Sequence, residues 1–310
     1  MSKYTPIDNE SLLVERENLS QGIDYSFYDK HCMNLVDDNV AYSGNTPAEL
    51  VKTMKARLSK INEEIDKLKL YKYIDIRNLS YWLKAKKLYW DRVDDVWEDP
   101  YENYFLKEKF ILKDGTPVDA KNNIPGVFGQ SWTTRGETDA MWRIYSKEDK
   151  TNGVNNTRIF YGVRIETTVR KLLDVIYVDD SSMANTWIGK VRYMTESEIN
   201  QTLSGGVKGV NDALANSFFN KRIEFDHEKE FRAMTLLDSL TISKTCNYKR
   251  IAFDIADIED FIESYVLDPR LSLDNYNLLR EQLISLGVNP AKIKQSLLYH
   301  FEPIEVTISF

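Results

Sequence analysis

Along residues 70 to 246, short β-prone runs are intermixed with short amphipathic helical segments, and that alternation restricts the chain to an α+β or α/β fold. Leu70-Tyr71-Lys72-Tyr73-Ile74 reads as a strand. Asp75 is a candidate N-cap for an amphipathic helix over Arg77 to Lys84, and Leu88-Tyr89-Trp90 reads as a second strand. Glu98-Asp99-Pro100-Tyr101-Glu102 interrupts the pattern as a turn, because Pro100 biases Asp99 away from the helical region. Val127 to Trp132 and Tyr161 to Glu166 read as strands, and Thr138 to Tyr145 as a helix with Met141, Trp142 and Tyr145 on one face. Residues 167 to 176 place Val169, Leu172, Leu173 and Ile176 at helical spacing, and Trp187 to Met194 reads as one further strand. The expected class is α+β, a mixed central sheet of short strands flanked by helices.

The flanks read differently. Residues 1 to 45 hold three basic and eight acidic residues with sparse apolar ones, a polar acidic leader expected to be irregular apart from a short helix. Thr46-Pro47 then opens an amphipathic helix over residues 47 to 69, with Leu50, Met54, Leu58, Ile61, Ile65 and Leu68 in one stripe. The stripe packs on the chain's own core or serves a protein partner or self-association. Residues 70 to 310 are read as the core domain: Ile251 to Ile258 and Phe261 to Leu267 as strands, and Ser272 as N-cap of a helix closed by Gly287. Asn289-Pro290 starts another helix, and Ile304 to Phe310 returns as a last strand. A formal charge of -7 argues against a dominant phosphate-neutralising surface. No apolar run approaches the roughly 18 to 20 residues of a membrane helix, and the first ten residues have no signal-peptide pattern, so a soluble cytoplasmic protein is expected. Two cysteines and three histidines are too few and too scattered for a disulfide framework or a zinc site.

Eight segments occur in an order that resembles the domain of unknown function 2971 family: Tyr71-Lys72-Tyr73, Leu88-Tyr89-Trp90, Asp99-Pro100-Tyr101-Glu102, Ser131-Trp132, Met141 to Tyr145, Gly162 to Ile165, Val191-Arg192-Tyr193 and His227 to Arg232. The family often has a cysteine in the strand before its Trp or Phe, where this chain has Gln130-Ser131. More distantly, the opening strand with Lys72 beside Tyr73, the Asn78-Leu79 helix and the second strand resemble the start of ADP-ribosyltransferase-fold enzymes. That likeness implies an NAD-consuming enzyme, of the kind found in bacterial toxins and phage-defence effectors, with a nucleic acid or protein acceptor. It implies Lys72, Tyr73, Ser131, Tyr145 and Arg232 on the side of NAD and Glu230 with Glu228 on the side of catalysis; Lys72 stands where that superfamily uses His or Arg.

Breaking a nicotinamide–ribose bond develops positive charge on the sugar, so a carboxylate beside it and cations on the diphosphate are what the chemistry needs. His227-Glu228-Lys229-Glu230-Phe231-Arg232, as a strand, puts Glu228, Glu230 and Arg232 on one face, and two close carboxylates raise the pKa of one of them. Read as one helix from Asn220 to Arg232, the same residues make only an ordinary i,i+4 pair. Competing readings are a noncatalytic sensor or interaction module of a defence or toxin–antitoxin system, and a metal-dependent nuclease using Asp91, Asp94, Asp95 and Asp99. Gly205 to Gly209 lacks the spacing of a phosphate-binding loop and reads as a flexible loop, and Ser131 with His227 lacks the elbow of a serine hydrolase.

Overall fold

The computed structural model describes residues 4–7, 33–35, 68–93, 97, 99–102, 104, 107, 109–111, 114–119, 126–150, 153–156, 158–176, 186–204, 217–237 and 250–308. Most of the leader, nearly all of helix 47–69, Asp94, Asp95 and the Gly205 to Gly209 loop lie outside them. In chain order the strands are β1 (Tyr4–Ile7), β2 (Met33–Leu35), β3 (Lys69–Asp75), β4 (Lys87–Arg92), β5 (Lys109–Ile111), β6 (Pro117–Asp119), β7 (Gly126–Thr133), β8 (Glu148–Asp149), β9 (Ile159–Phe160), β10 (Gly162–Thr168), β11 (Thr186–Lys190), β12 (Arg192–Met194), β13 (Asn220–Arg222), β14 (Glu230–Leu237), β15 (Arg250–Asp254), β16 (Ser264–Leu267) and β17 (Ile293–Gln295). The helices are α1 (Ile76–Ala85), α2 (Asp139–Tyr145), α3 (Val169–Ile176), α4 (Glu196–Ser204), α5 (Ile258–Phe261) and α6 (Leu273–Ser285).

Among the described residues, one sheet of eleven strands runs β1-β15-β4-β7-β3-β10-β16-β17, with β14, β11 and β2 continuing from β7 as a branch. Within this sheet pairing is antiparallel except for β11 with β2 and β16 with β17, and β12 pairs β13 in parallel in a separate two-stranded sheet. The mixed sheet with helices is the expected α+β class, and none of the described helices is long and apolar enough to cross a membrane.

The helices form where cap and stripe coincide. The Asp75 carboxylate accepts from Arg77 N at 2.9 Å, opening α1, which buries Ile76, Leu79, Trp82 and Leu83. Thr138 caps α2 in the same way, accepting from Met141 N. Ser272 caps α6, and Gly287 takes φ +91° just past its end, where a left-handed residue finishes a helix. The main core joins α1, α3 and α6 to one face of the sheet through Leu70, Trp90, Phe128, Trp132, Phe253 and Tyr265. A second cluster, Tyr73, Met141, Trp142 and Val266, seats α2 on the opposite face of β3.

Gly162 at the start of β10 is held by close approach: its N–H donates to Ser146 Oγ at 3.0 Å, and a Cβ there would overlap the Ser146 side chain. Gly162→Ala should therefore lower unfolding free energy by about 1–3 kcal/mol, read from the urea midpoint, with Ser146→Gly restoring part of it.

Several expectations are corrected. The leader contributes two short strands, β1 on β15 and β2 on β11, where irregular chain was expected. Trp187 to Met194 is not one strand: Val191 N donates to Glu230 O and Arg192 N to Phe219 O, so the chain leaves β14 for β13 at that point. Phe261 to Leu267 splits into the end of α5 and strand β16. Asn289-Pro290 starts only a single 3-10 turn, because Ile293 is extended and pairs with Tyr265. Residues 301–308 pair with no described strand, and Ile304 is 80% exposed.

Candidate active site

The site begins where the sheet forks. Strand β7 pairs with β14 along its whole length. Its other edge meets β3 only at Thr133, opposite Tyr71, and β4 only at Gly129 and Phe128. Between those points two side chains satisfy backbone that no neighbouring strand reaches. Lys72 Nζ donates to Ser131 O at 2.9 Å, and Gln130 Nε2 donates to Tyr89 O at 3.0 Å. A cleft of about 1140 Å³ opens over this notch, beyond the roughly 300–1,000 Å³ usual for small-molecule sites.

Lys72, Tyr73, Ser131, Tyr145, Glu228, Glu230 and Arg232 all line that cleft. They do so from different directions. Strand alternation puts Lys72 on the core face with Leu70 and Ile74, so its amine reaches the notch from below, 5.9 Å from the Trp132 ring centre. Burial lowers its pKa to about 8, against the opposing pull of Asp91 and Glu230. Ser131 contributes its carbonyl to this contact. Tyr73 projects to the other face, where its ring lies 6.4 Å from that of Tyr145, nearly parallel. Met141 and Trp142 are buried as the helical stripe requires, but Tyr145 is 40% exposed.

Lys72 carries its charge at pH 7 and loses it as pH rises through about 8. A sulfate anion held by that charge should bind about tenfold more weakly at pH 9 than at pH 7, and Lys72→Met should bind weakly at both, as calorimetry would read.

On the far wall five charged side chains form one buried network. Lys221 Nζ lies 2.6 Å from Glu230 Oε1, 2.8 Å from Glu228 Oε2 and 3.0 Å from Glu102 Oε1. Arg232 is 1% exposed; its Nε donates to Glu230 Oε2 at 2.7 Å, Nη2 to Glu102 Oε1 at 2.5 Å and Nη1 to Phe218 O at 2.6 Å. The Trp97 ring covers its guanidinium at 3.8 Å. Sequence reasoning placed Glu102 in a turn and missed Lys221. The turn is real, with Asp99 O accepting from Glu102 N and the Asp99 carboxylate paired with Arg222, and it is what carries Glu102 inward. Lys221 sits in a three-residue strand with no periodicity to signal it.

The single-helix reading of residues 220 to 232 fails, and the strand reading holds only from Glu230 on. The segment is strand β13, a 3-10 turn over Ile223–Glu228, and then β14 starting at Glu230. Glu228 is therefore not on the strand with Glu230 and Arg232. It closes the turn, and Lys229 in the left-handed region (φ +43°) reverses the chain so that the two carboxyl groups still meet. Their environments push them apart. Burial raises the Glu228 pKa, and a hydrogen bond to Glu230 with the charge of that residue adds to it, against Lys221. Burial acts in the same sense on Glu230, but Arg232 and Lys221 outweigh it and hold that carboxyl below the usual range. The two shifts are opposed, so Glu230 ionises first and Glu228 holds its proton to a higher pH than an ordinary glutamate. Burial, then Glu228 and Glu230, raise the pKa of Tyr145, which stays neutral.

Among the described residues no group of three or more His, Cys, Asp and Glu side chains converges as a metal site requires. Asp91 is paired with Arg250, and Asp99 with Arg222.

No protein-family model matches the chain, so the eight segments in order stand without a family match behind them. No curated protein matches either. Three solved structures of Thermus sp. 2.9 DarT do: the complex with NAD+, at 10% identity over 76% of this chain and 98% of that one with a TM-score of 0.34, the carba-NAD+ complex at 0.33, and the complex with ADP-ribosylated ssDNA at 0.33.

Proposed function

We propose that the cleft is the active site of an NAD-consuming ADP-ribosyltransferase-like enzyme. The observation that carries this reading is the Glu228–Glu230 pair, two touching carboxyl groups whose surroundings push their pKa values in opposite directions, on the wall of a cleft large enough for a dinucleotide. Glu230 is a fixed anion suited to stabilise positive charge on a ribose as its bond to nitrogen breaks. Glu228 is the proton-handling group, suited to take a proton from the acceptor. Tyr73 and Tyr145 offer a stacked aromatic wall for a planar ring, and Lys72 and Lys147, both lining the cleft, are cations available to a diphosphate. The acceptor is a nucleic acid or a protein, and the sequence resemblance to ADP-ribosyltransferase-fold enzymes is the ground for reading the protein as a toxin or phage-defence effector.

A noncatalytic binding module is the second reading, favoured by one observation: both oxygens of Glu230 are engaged by Lys221 and Arg232. Incubation with NAD and chromatography for free nicotinamide, with and without cell extract, separates the two. Release by wild type and its loss in Glu230→Gln supports the transferase; no release under either condition leaves the binding module.

A further inference from the structure

Glu230 opens β14 directly after Lys229, which sits in the left-handed region at φ +43°. A lysine seldom adopts that conformation, so the surroundings must hold it there. The peptide joining the two residues is gripped from two sides. Its carbonyl, Lys229 O, accepts from Thr134 N at 3.0 Å and from Thr134 Oγ1 at 3.1 Å, just past the end of β7. Its N–H, that of Glu230, donates to the Tyr193 hydroxyl at 2.7 Å.

Tyr193 fills a gap in the ladder. Lys190 of β11 pairs with Phe231, and Val191 N donates to Glu230 O at 3.0 Å. In an antiparallel ladder a residue that accepts on its carbonyl at such a pair gives its own N–H back to the same neighbour. Here the chain turns away: Arg192 N donates to Phe219 O and Arg192–Met194 pairs with β13. The return bond from Glu230 N therefore goes to a side chain two residues beyond Val191. Val191-Arg192-Tyr193, one of the eight segments singled out in the sequence, makes both contacts. The Tyr193 ring is half-buried, and burial above all keeps the phenol neutral, with a lone pair free to accept. The Lys229 amine lies 5.7 Å from the centre of the same ring.

We infer that Tyr193 is a positioning residue for Glu230. By fixing the Lys229–Glu230 peptide, its hydroxyl fixes the direction in which the Glu230 side chain leaves the backbone. The carboxylate then meets Lys221 at 2.6 Å and Arg232 at 2.7 Å without searching. The consequence for turnover rests on the transferase reading: a misdirected carboxylate stabilises the transition state less while the rest of the cleft still binds NAD.

The test is Tyr193→Phe, which removes the hydroxyl and keeps the ring. Nicotinamide release should lose about tenfold in kcat, the net worth of roughly one hydrogen bond, with KM unchanged. In a Glu230→Gln background the same substitution should cost less than about twofold, because Tyr193 then has no carboxylate to aim. Amide hydrogen exchange reads the grip without turnover: the Glu230 N–H should exchange about tenfold faster in the variant, with that of Ala233 in mid-strand unchanged. Equal losses in both backgrounds, a change in KM alone, unaltered kcat in a folded variant, or an unmoved Glu230 amide overturns the inference. If Tyr193→Phe does not fold, the wild type decides: a protected Glu230 amide supports the grip, and one exchanging like an unstructured amide overturns it. Absence of nicotinamide release from wild type sinks the transferase reading alone, since the exchange measurement still judges whether Tyr193 holds Glu230. Release by wild type with an unmoved Glu230 amide sinks this inference alone.

Discussion

Arg232→Met should lower the free energy of unfolding by about 3–5 kcal/mol, the loss expected when one partner of a buried ion pair is removed. Methionine fills similar volume but supplies none of the three directed bonds to Glu230, Glu102 and Phe218 O. Three carboxylates would then share Lys221 alone. The loss should depend on pH. Arg232 holds the folded-state pKa of Glu230 below its ordinary 4.5, so the stabilisation is present above that value and disappears as pH falls toward the folded one. Urea denaturation should therefore show the largest gap between wild type and variant at pH 7 and a smaller one below pH 4.5. Arg232→Lys should fall between them, keeping the charge but not the planar fork. A gap below about 1 kcal/mol at pH 7 would mean that the network contributes little to stability.

Glu230→Gln should cut nicotinamide release by about 10²–10³-fold, the usual effect of removing one preorganised electrostatic group from an active site. Fold loss is not the expected cause. The substitution leaves two carboxylates against two cations, a balanced network in which Glu228 can ionise beside Lys221. The variant should stay folded and lose less stability than Arg232→Met, as its melting temperature would read, while turnover collapses. Unchanged release in a folded Glu230→Gln protein would exclude the residue from the chemistry.

Much of the scaffold is legible locally. The strand, Asp75 cap and helix that open the main domain, the Thr138 cap of α2, and the Ser272 and Gly287 bounds of α6 all lie within a few residues of the signals that define them. The candidate site is legible only as a set of residues. Glu102 meets Arg232 across 130 positions and Lys72 meets Ser131 across 59, distances over which no periodicity operates. The break at Glu228 was hidden because lysine is an uncommon residue for the left-handed region, and nothing in His227 to Arg232 marks Lys229 as a reversal point. The extended stretch at Ile293 illustrates the opposite case: Asn289 does cap, yet pairing with β16 ends the turn after three residues.

The fork at β7 leaves Ser131 O and Tyr89 O to side chains instead of strand pairing, contacts on the order of 1 kcal/mol each, while the β7–β14 ladder that carries Glu230 and Arg232 runs unbroken beside them. The cleft is thus bounded on one side by continuous backbone pairing and on the other by two single side-chain bonds.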